Sequence, residues 1–136
     1  GDSFCGVSLD EFLKFNAAKG AFISMVVSER TNKGDYGTVF LNSSQEVIGF
    51  AEKIKNSRRS GFINSGIYLF SKKVLSLIPP GENYSLEKEL FPELINKKIY
   101  GYITKEKITD IGTPERYKKV KENEDFIRHF NNHKKI

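Results

Sequence analysis

Residues Ala21–Val27 read Ala-Phe-Ile-Ser-Met-Val-Val, an apolar run broken by one hydroxyl. Side chains on a strand point alternately to opposite faces. A run without alternation therefore needs cover on both faces, the signature of a central strand between two layers. A run this short suits a strand better than a helix, and its β-branched residues agree. The segment before it is helical in pattern. Ser8-Leu9-Asp10-Glu11 forms a capping box in which the serine accepts from the third N–H and Glu11 reaches back. Phe12, Leu13, Phe15 and Ala17 follow at amphipathic spacing, and Gly20 is a natural stop.

Past the central run the pattern stays mixed. Residues 30–35 form a polar loop. Gly37–Leu41 and Val47–Phe50 predict two strands joined by Asn42-Ser43-Ser44-Gln45 in a hairpin. A second polar loop covers 55–61, and Phe62–Phe70 is a strand in which Gly66 marks a bulge or a close approach. Ser71 opens a helix to Ile78, which Pro79-Pro80-Gly81 ends. Ser85 opens another, with Leu86, Leu90, Leu94 and Ile95 at helical spacing, and Pro92 kinks or restarts it. Ile99–Ile103 and Lys107–Asp110 are short strands. Thr113-Pro114 pairs an N-cap with proline at the first helical position and opens a last helix to about residue 130. Helices alternate with strands and hairpins, which gives an α/β sandwich on a mixed sheet.

The 136 residues allow one core, and 38% hydrophobic with 29% charged residues is globular in balance. No apolar run reaches the roughly 18 residues of a membrane span, so no membrane partner is expected. The single cysteine, Cys5, excludes an internal disulfide framework, suits a cytoplasmic location and reads as a small buried residue. The net charge of +5 does not make a nucleic-acid binder, because the lysines are scattered and no aromatics interleave with arginines. The denser stretches, Lys118–Lys121 and Arg128–Lys135, read as a solvated helix face and a chain end.

Candidate chemistry is sparse when taken residue by residue. Asp110 ends a strand just ahead of a helix start, where α/β sheets collect ligands. It either holds magnesium beside substrate phosphate oxygens or caps a turn. Glu52-Lys53 closes the second hairpin strand, either as an exposed pair or as an acceptor for sugar hydroxyls beside a cation for phosphate. Gly37 and Gly66 either admit a ligand close to the backbone or relieve strand packing. Asn64 lies in an otherwise apolar strand and needs a partner, which is either a ligand or a structural group. His129 and His133 are four apart in a polar tail without a third metal ligand. Neither a G-x-x-x-x-G-K-[ST] loop nor a G-x-S-x-G elbow occurs.

Six segments change the reading when taken in order: Gly1-Asp2-Ser3, Tyr36-Gly37, Phe50-Ala51-Glu52-Lys53, Ile63-Asn64-Ser65-Gly66-Ile67-Tyr68, Ser85-Leu86-Glu87-Lys88-Glu89, and Asp110-Ile111-Gly112-Thr113-Pro114-Glu115-Arg116-Tyr117. Their order and spacing resemble the sugar-1-phosphate nucleotidyltransferases, nearest the branch acting on mannose 1-phosphate or D-glycero-D-manno-heptose 1-phosphate with GTP. The resemblance implies a Rossmann-like mixed-sheet sandwich. It implies that Asp2 and Asp110 hold Mg2+, the one cofactor, and that Gly37, Glu52, Lys53, Asn64 and Gly66 line the sugar-phosphate site. Glu52 and Asn64 would hold hydroxyls, and Lys53 would neutralise phosphate. The substrates would be a sugar 1-phosphate and a nucleoside triphosphate, and the product a nucleotide-sugar for surface polysaccharide.

One departure from that family matters. Its glycine-rich G-x-G-T-R-L loop and following proline-lysine pair precede the Gly-Asp motif, and nothing in residues 1–136 matches them. Such a loop's backbone N–H groups hold a triphosphate. The expectation is that residues 1–136 are the C-terminal, sugar-phosphate- and metal-binding part of one catalytic domain, without its N-terminal nucleotide-binding part and inactive alone. An apolar face left open would pair with that half or with a second copy. The alternative is a non-catalytic module that binds a sugar phosphate or another chain.

Overall fold

The computed structural model describes residues 3–29, 37–51, 61–106 and 108–122. Strand β1 (Ser3–Phe4) leads to helix α1 (Leu9–Lys19) and strand β2 (Ile23–Glu29). Strands β3 (Thr38–Leu41), β4 (Val47–Ala51) and β5 (Phe62–Phe70) follow, then the short helix α2 (Lys72–Leu75). A π-helical turn (Leu86–Leu90) runs into helix α3 (Phe91–Glu93), and strands β6 (Ile99–Thr104) and β7 (Thr109–Asp110) precede helix α4 (Pro114–Lys121). The main sheet has the order β4-β3-β5-β2-β6, and β1 pairs with β7 in a separate two-stranded ladder.

β2 is the central strand that its composition demands, two residues later than expected and buried throughout up to Ser28. It runs antiparallel to β5 and parallel to β6. Its alternation supplies two cores. Ile23, Met25 and Val27 join Val39, Val47, Val74, Leu90, Phe91, Leu94 and Ile99 on one face, under the hairpin, α2 and the π turn. Val26 joins Phe12 and Val7 on the other face, under α1. The lone hydroxyl of the run, Ser24, is fully buried and donates to Asn16 Oδ1 of α1 at 2.7 Å. A buried polar group is thus satisfied by the helix that covers it.

The ends of α1 follow the sequence. Ser8 Oγ accepts from Glu11 N at 3.4 Å, and Gly20 closes the helix at φ +55°. The Glu11 carboxylate turns instead to β6, accepting from the Tyr102 hydroxyl at 3.0 Å. The two middle helices are shorter than their spacing predicts. α2 stops at Leu75 rather than Ile78. The segment after Ser85 widens to a π turn before a three-residue helix. Pro92 explains the widening: it has no N–H to give to the carbonyl four residues back, and its ring crowds that carbonyl. Ser85 N is then met by Glu89 Oε2 at 2.6 Å, one residue beyond the usual reciprocal position. The last helix is described only to Lys121, and His129, His133 and Arg128–Lys135 lie outside the described residues. The Lys118–Lys121 face is exposed, with Lys118 Nζ 4.0 Å from Glu122 Oε1.

β5 is kinked. Across from β2, Met25 pairs with Tyr68 and Val27 with Asn64, so four steps along β5 oppose two along β2. The excess is absorbed at Ser65-Gly66-Ile67. Gly66 sits at φ +73°, a conformation that favours glycine, and the buried Ser65 hydroxyl donates to the Val26 carbonyl. The bulge expected at Gly66 is there.

Candidate functional site

The hairpin's register gathers the candidate residues. Thr38 of β3 lies across from Ala51 of β4 on one side and Ile63 of β5 on the other. One step further along these antiparallel pairs come Gly37 and Asn64, on neighbouring strands, with Asn64 also across from Val27 of β2. Glu52 and Lys53 follow Ala51 directly in the chain and lie outside the described residues. Gly37 is exposed, and a methyl group there would stand 3.9 Å from the Ala51 carbonyl oxygen. It therefore leaves an open approach to the backbone.

Asn64 has structural partners. Its Nδ2 donates to the Tyr68 hydroxyl at 2.8 Å and to Glu87 Oε1 at 3.2 Å. Its Oδ1 accepts from Gly66 N at 3.1 Å, an Asx turn across the bulge. The Tyr68 hydroxyl in turn donates to Glu87 Oε1 at 2.7 Å. The bulge brings Tyr68 onto the side of Asn64, and the wide turn after Ser85 delivers Glu87 to both. The Tyr68 ring packs edge-on against the buried Phe91 at 5.0 Å and stacks on Phe70 at 5.9 Å. Burial above all, then the Glu87 carboxylate that accepts its hydrogen bond, pushes the Tyr68 hydroxyl far above the usual phenol range. The Asn64 amide pulls more weakly the other way. Tyr68 is therefore a neutral donor, never a phenolate, at ordinary pH.

The second group of candidates sits on the small ladder. Ser3 of β1 lies across from Asp110 of β7, and Phe4 across from Thr109. Asp2 precedes Ser3 in the chain and lies outside the described residues. Beyond Asp110, Thr113 caps α4 by accepting from Arg116 N at 3.3 Å, with Pro114 in the first turn. β1 also packs against β5, and Cys5, Ile67 and Leu69 all pack on the small core of Val7, Phe12 and Val26. The ladder carrying Asp110 thus adjoins the strand carrying Asn64 and Gly66. Among the described residues no three His, Cys, Asp or Glu side chains cluster as a metal cage. A carboxylate or two with open positions is the donor set that suits Mg2+, which keeps places for phosphate oxygens. The Cys5 thiol is pushed up by burial, as fits a packing residue rather than a nucleophile.

A family model described as Nucleotidyl transferase matches residues 1–125. The chain belongs to the nucleotidyl transferase family. It is 31% identical over 131 residues to a mannose-1-phosphate guanylyltransferase of Mycobacterium tuberculosis, covering 94% of this chain and 36% of that protein. It is 32% identical over 121 residues to a D-glycero-alpha-D-manno-heptose 1-phosphate guanylyltransferase of Aneurinibacillus thermoaerophilus, covering 88% of this chain and 51% of that protein. In structure it is similar to HddC from Yersinia pseudotuberculosis, with a TM-score of 0.69, 26% identity, and coverage of 87% of this chain and 50% of HddC. The chain thus spans about half the length, or less, of these relatives.

The resemblance and the Rossmann-like mixed-sheet fold expected from the six segments are both borne out by these likenesses and by the sheet. As a nucleotidyl transferase family chain it brings Gly37 beside Asn64, puts Gly66 two residues on in the β5 bulge, and sets Asp110 on the adjoining ladder. Asp2, Glu52 and Lys53 lie outside the described residues. Tyr68 and Glu87 were given no role in the sequence reading. The signal for Tyr68 is its four-residue offset from Asn64, which puts the two on one face of a strand, while the glycine bulge between them draws them within hydrogen-bond reach. Glu87 had no such signal, because a helix of ordinary pitch was expected where the π turn forms.

Proposed function

We propose that residues 1–136 supply the sugar-phosphate- and metal-binding part of a single nucleotidyltransferase catalytic domain. The reaction is attack by the phosphate oxygen of a sugar 1-phosphate on the α-phosphorus of a nucleoside triphosphate, releasing pyrophosphate in line. Heptose or mannose 1-phosphate with GTP is the favoured pair. The named activities of the two relatives support it, as does an HddC structure solved with GMP-PN. The nucleotide-sugar would feed surface polysaccharide synthesis in the cytoplasm.

The observation that carries this reading is the backbone register. It sets Gly37 beside Asn64 and Ser3 across from Asp110, with β1 against β5. β5 therefore carries sugar-binding candidates and adjoins the ladder that carries the metal-binding candidate Asp110. In this reading Asn64 Oδ1 and the Glu52 carboxylate accept sugar hydroxyls, Lys53 neutralises the sugar's phosphate, and Gly37 and Gly66 leave room for the ring. Asp2 and Asp110 hold Mg2+, which when bound neutralises phosphate charge as a Lewis acid. Catalysis is then mostly positioning and electrostatics, as phosphoryl transfer requires.

From Asn64 to Phe70, β5 has a strand partner on one side only among the described residues. Such an edge suits pairing with a nucleotide-binding half. The lack of a glycine-rich phosphate loop within residues 1–136 favours a second reading, a non-catalytic sugar-phosphate-binding or interaction module. Pyrophosphate release separates the two. The protein carrying this chain, supplied with GTP and either mannose 1-phosphate or D-glycero-D-manno-heptose 1-phosphate, should release pyrophosphate. Residues 1–136 alone should bind the sugar phosphate without turnover. Binding without turnover even after a relative's nucleotide-binding half is added would favour the module.

A further inference from the structure

We infer that Glu87 and Tyr68 are positioning residues that lock the Asn64 amide in one orientation, so that it meets a sugar hydroxyl through Oδ1, as an acceptor. The inference rests on the sugar-phosphate reading of this site. An asparagine amide offers two donors on nitrogen and two acceptor lone pairs on oxygen, and by itself it can flip. Here every partner opposes the flip. Glu87 Oε1, a carboxylate oxygen that can only accept, stands 3.2 Å from Nδ2. The Gly66 N–H, which can only donate, stands 3.1 Å from Oδ1. Nδ2 also faces the Tyr68 hydroxyl at 2.8 Å, so the nitrogen side of the amide is turned to these two protein groups. Among the described residues, Gly66 N is the partner of Oδ1, which leaves its other lone pair to a ligand.

The same carboxylate oxygen fixes the tyrosine. Tyr68 donates its proton to Glu87 Oε1 at 2.7 Å and must therefore accept, not donate, toward Asn64. Its ring packs against both Phe91 and Phe70, which fixes the direction of the hydroxyl. Together these contacts turn the amide nitrogen to the protein and present Oδ1 to the sugar as an acceptor. A hydroxyl satisfies such a site. A substituent at that position that can only accept is left facing a lone pair.

The test uses the protein carrying this chain, with mannose 1-phosphate and GTP as probes. Steady-state kinetics are paired with calorimetric binding of mannose 1-phosphate and with melting temperature. Glu87→Ala should raise KM for mannose 1-phosphate about tenfold, as expected for loss of one hydrogen bond to a charged group. KM for GTP should stay within about twofold. Glu87→Gln keeps an acceptor oxygen and should recover most of the loss. Tyr68→Phe, which keeps the ring's packing, should raise the same KM severalfold. An unchanged KM in Glu87→Ala, a parallel rise in both KM values, or no rescue by glutamine would overturn the lock. If Asn64→Ala leaves mannose 1-phosphate binding unchanged, the sugar-site reading fails instead. A normal effect of Asn64→Ala with silent Glu87 and Tyr68 variants rejects the lock alone.

Discussion

Phe91 is where the candidate site meets the core. Its side chain is fully buried, and its ring lies 5.0 Å from Tyr68, 6.0 Å from Phe50 and 6.3 Å from Phe70. Truncating it to alanine removes a ring that touches all three. A buried phenylalanine covers about 150–250 Å². At about 25 cal/mol per Å² that corresponds to roughly 4–6 kcal/mol, an upper bound because the unfolded chain already hides part of it. Phe→Ala changes in cores cost about 3–5 kcal/mol once partial collapse is included. The two routes agree, and the expected loss for Phe91→Ala is about 4 kcal/mol. Urea unfolding followed by far-UV circular dichroism reads it. At a slope of about 1.5 kcal/mol per M the midpoint falls by about 2–3 M. Leu75→Ala, on the exposed side of α2, is the control and should stay within about 0.5 kcal/mol. A loss below about 1.5 kcal/mol for Phe91→Ala would refute the reasoning, because the ring would not then organise this core.

Three further outcomes follow from the same structure. Tyr68 holds its proton more tightly folded than unfolded. Its contribution to stability is therefore complete below the unfolded tyrosine value of about 10 and is lost as pH rises beyond it. The stability difference between wild type and Tyr68→Phe, measured by urea titration at a series of pH values, should be constant up to about pH 10 and shrink above it. Gly20→Ala forces an L side chain into the left-handed cap at φ +55° and should cost about 1 kcal/mol, read as a lower melting temperature. The Cys5 thiol, pushed up by burial, should react with iodoacetamide at pH 8 more slowly than a free cysteine and reach the free rate only in denaturant.

The fold was legible where periodicity and cap chemistry agree. The nearly continuous apolar run at 21–27 implied a central strand with two covered faces, and Ser24 meeting Asn16 shows how the one hydroxyl in it is accommodated. Gly20 as a helix stop and Gly66 as a bulge were legible because few other residues adopt their backbone. The helices at 71–78 and 85–95 were overread. Helical spacing of Leu86, Leu90 and Leu94 carries no information on pitch, and Pro92 changes the pitch locally. That same change hid Glu87, whose contact with Asn64 spans 23 residues of sequence. At the site, Asn64 was conspicuous as a polar group in an apolar strand, but sequence could not say whether a ligand or the protein would satisfy it. Among the described residues the structure gives it protein partners and leaves one lone pair on its oxygen.

Magnesium-dependent pyrophosphate release in an Asp110→Asn variant tests the central claim most directly. The variant keeps the side chain's size, so the β1–β7 ladder and the fold should persist by circular dichroism. With GTP and mannose 1-phosphate or heptose 1-phosphate, the protein carrying this chain should lose about 100-fold or more of its turnover, a typical cost of removing a group that stabilises transition-state charge. Asp10→Asn, an exposed carboxylate in the first turn of α1, should leave turnover intact. Normal pyrophosphate release from a folded Asp110→Asn variant would contradict the assignment of this ladder to the metal-binding part of a nucleotidyltransferase.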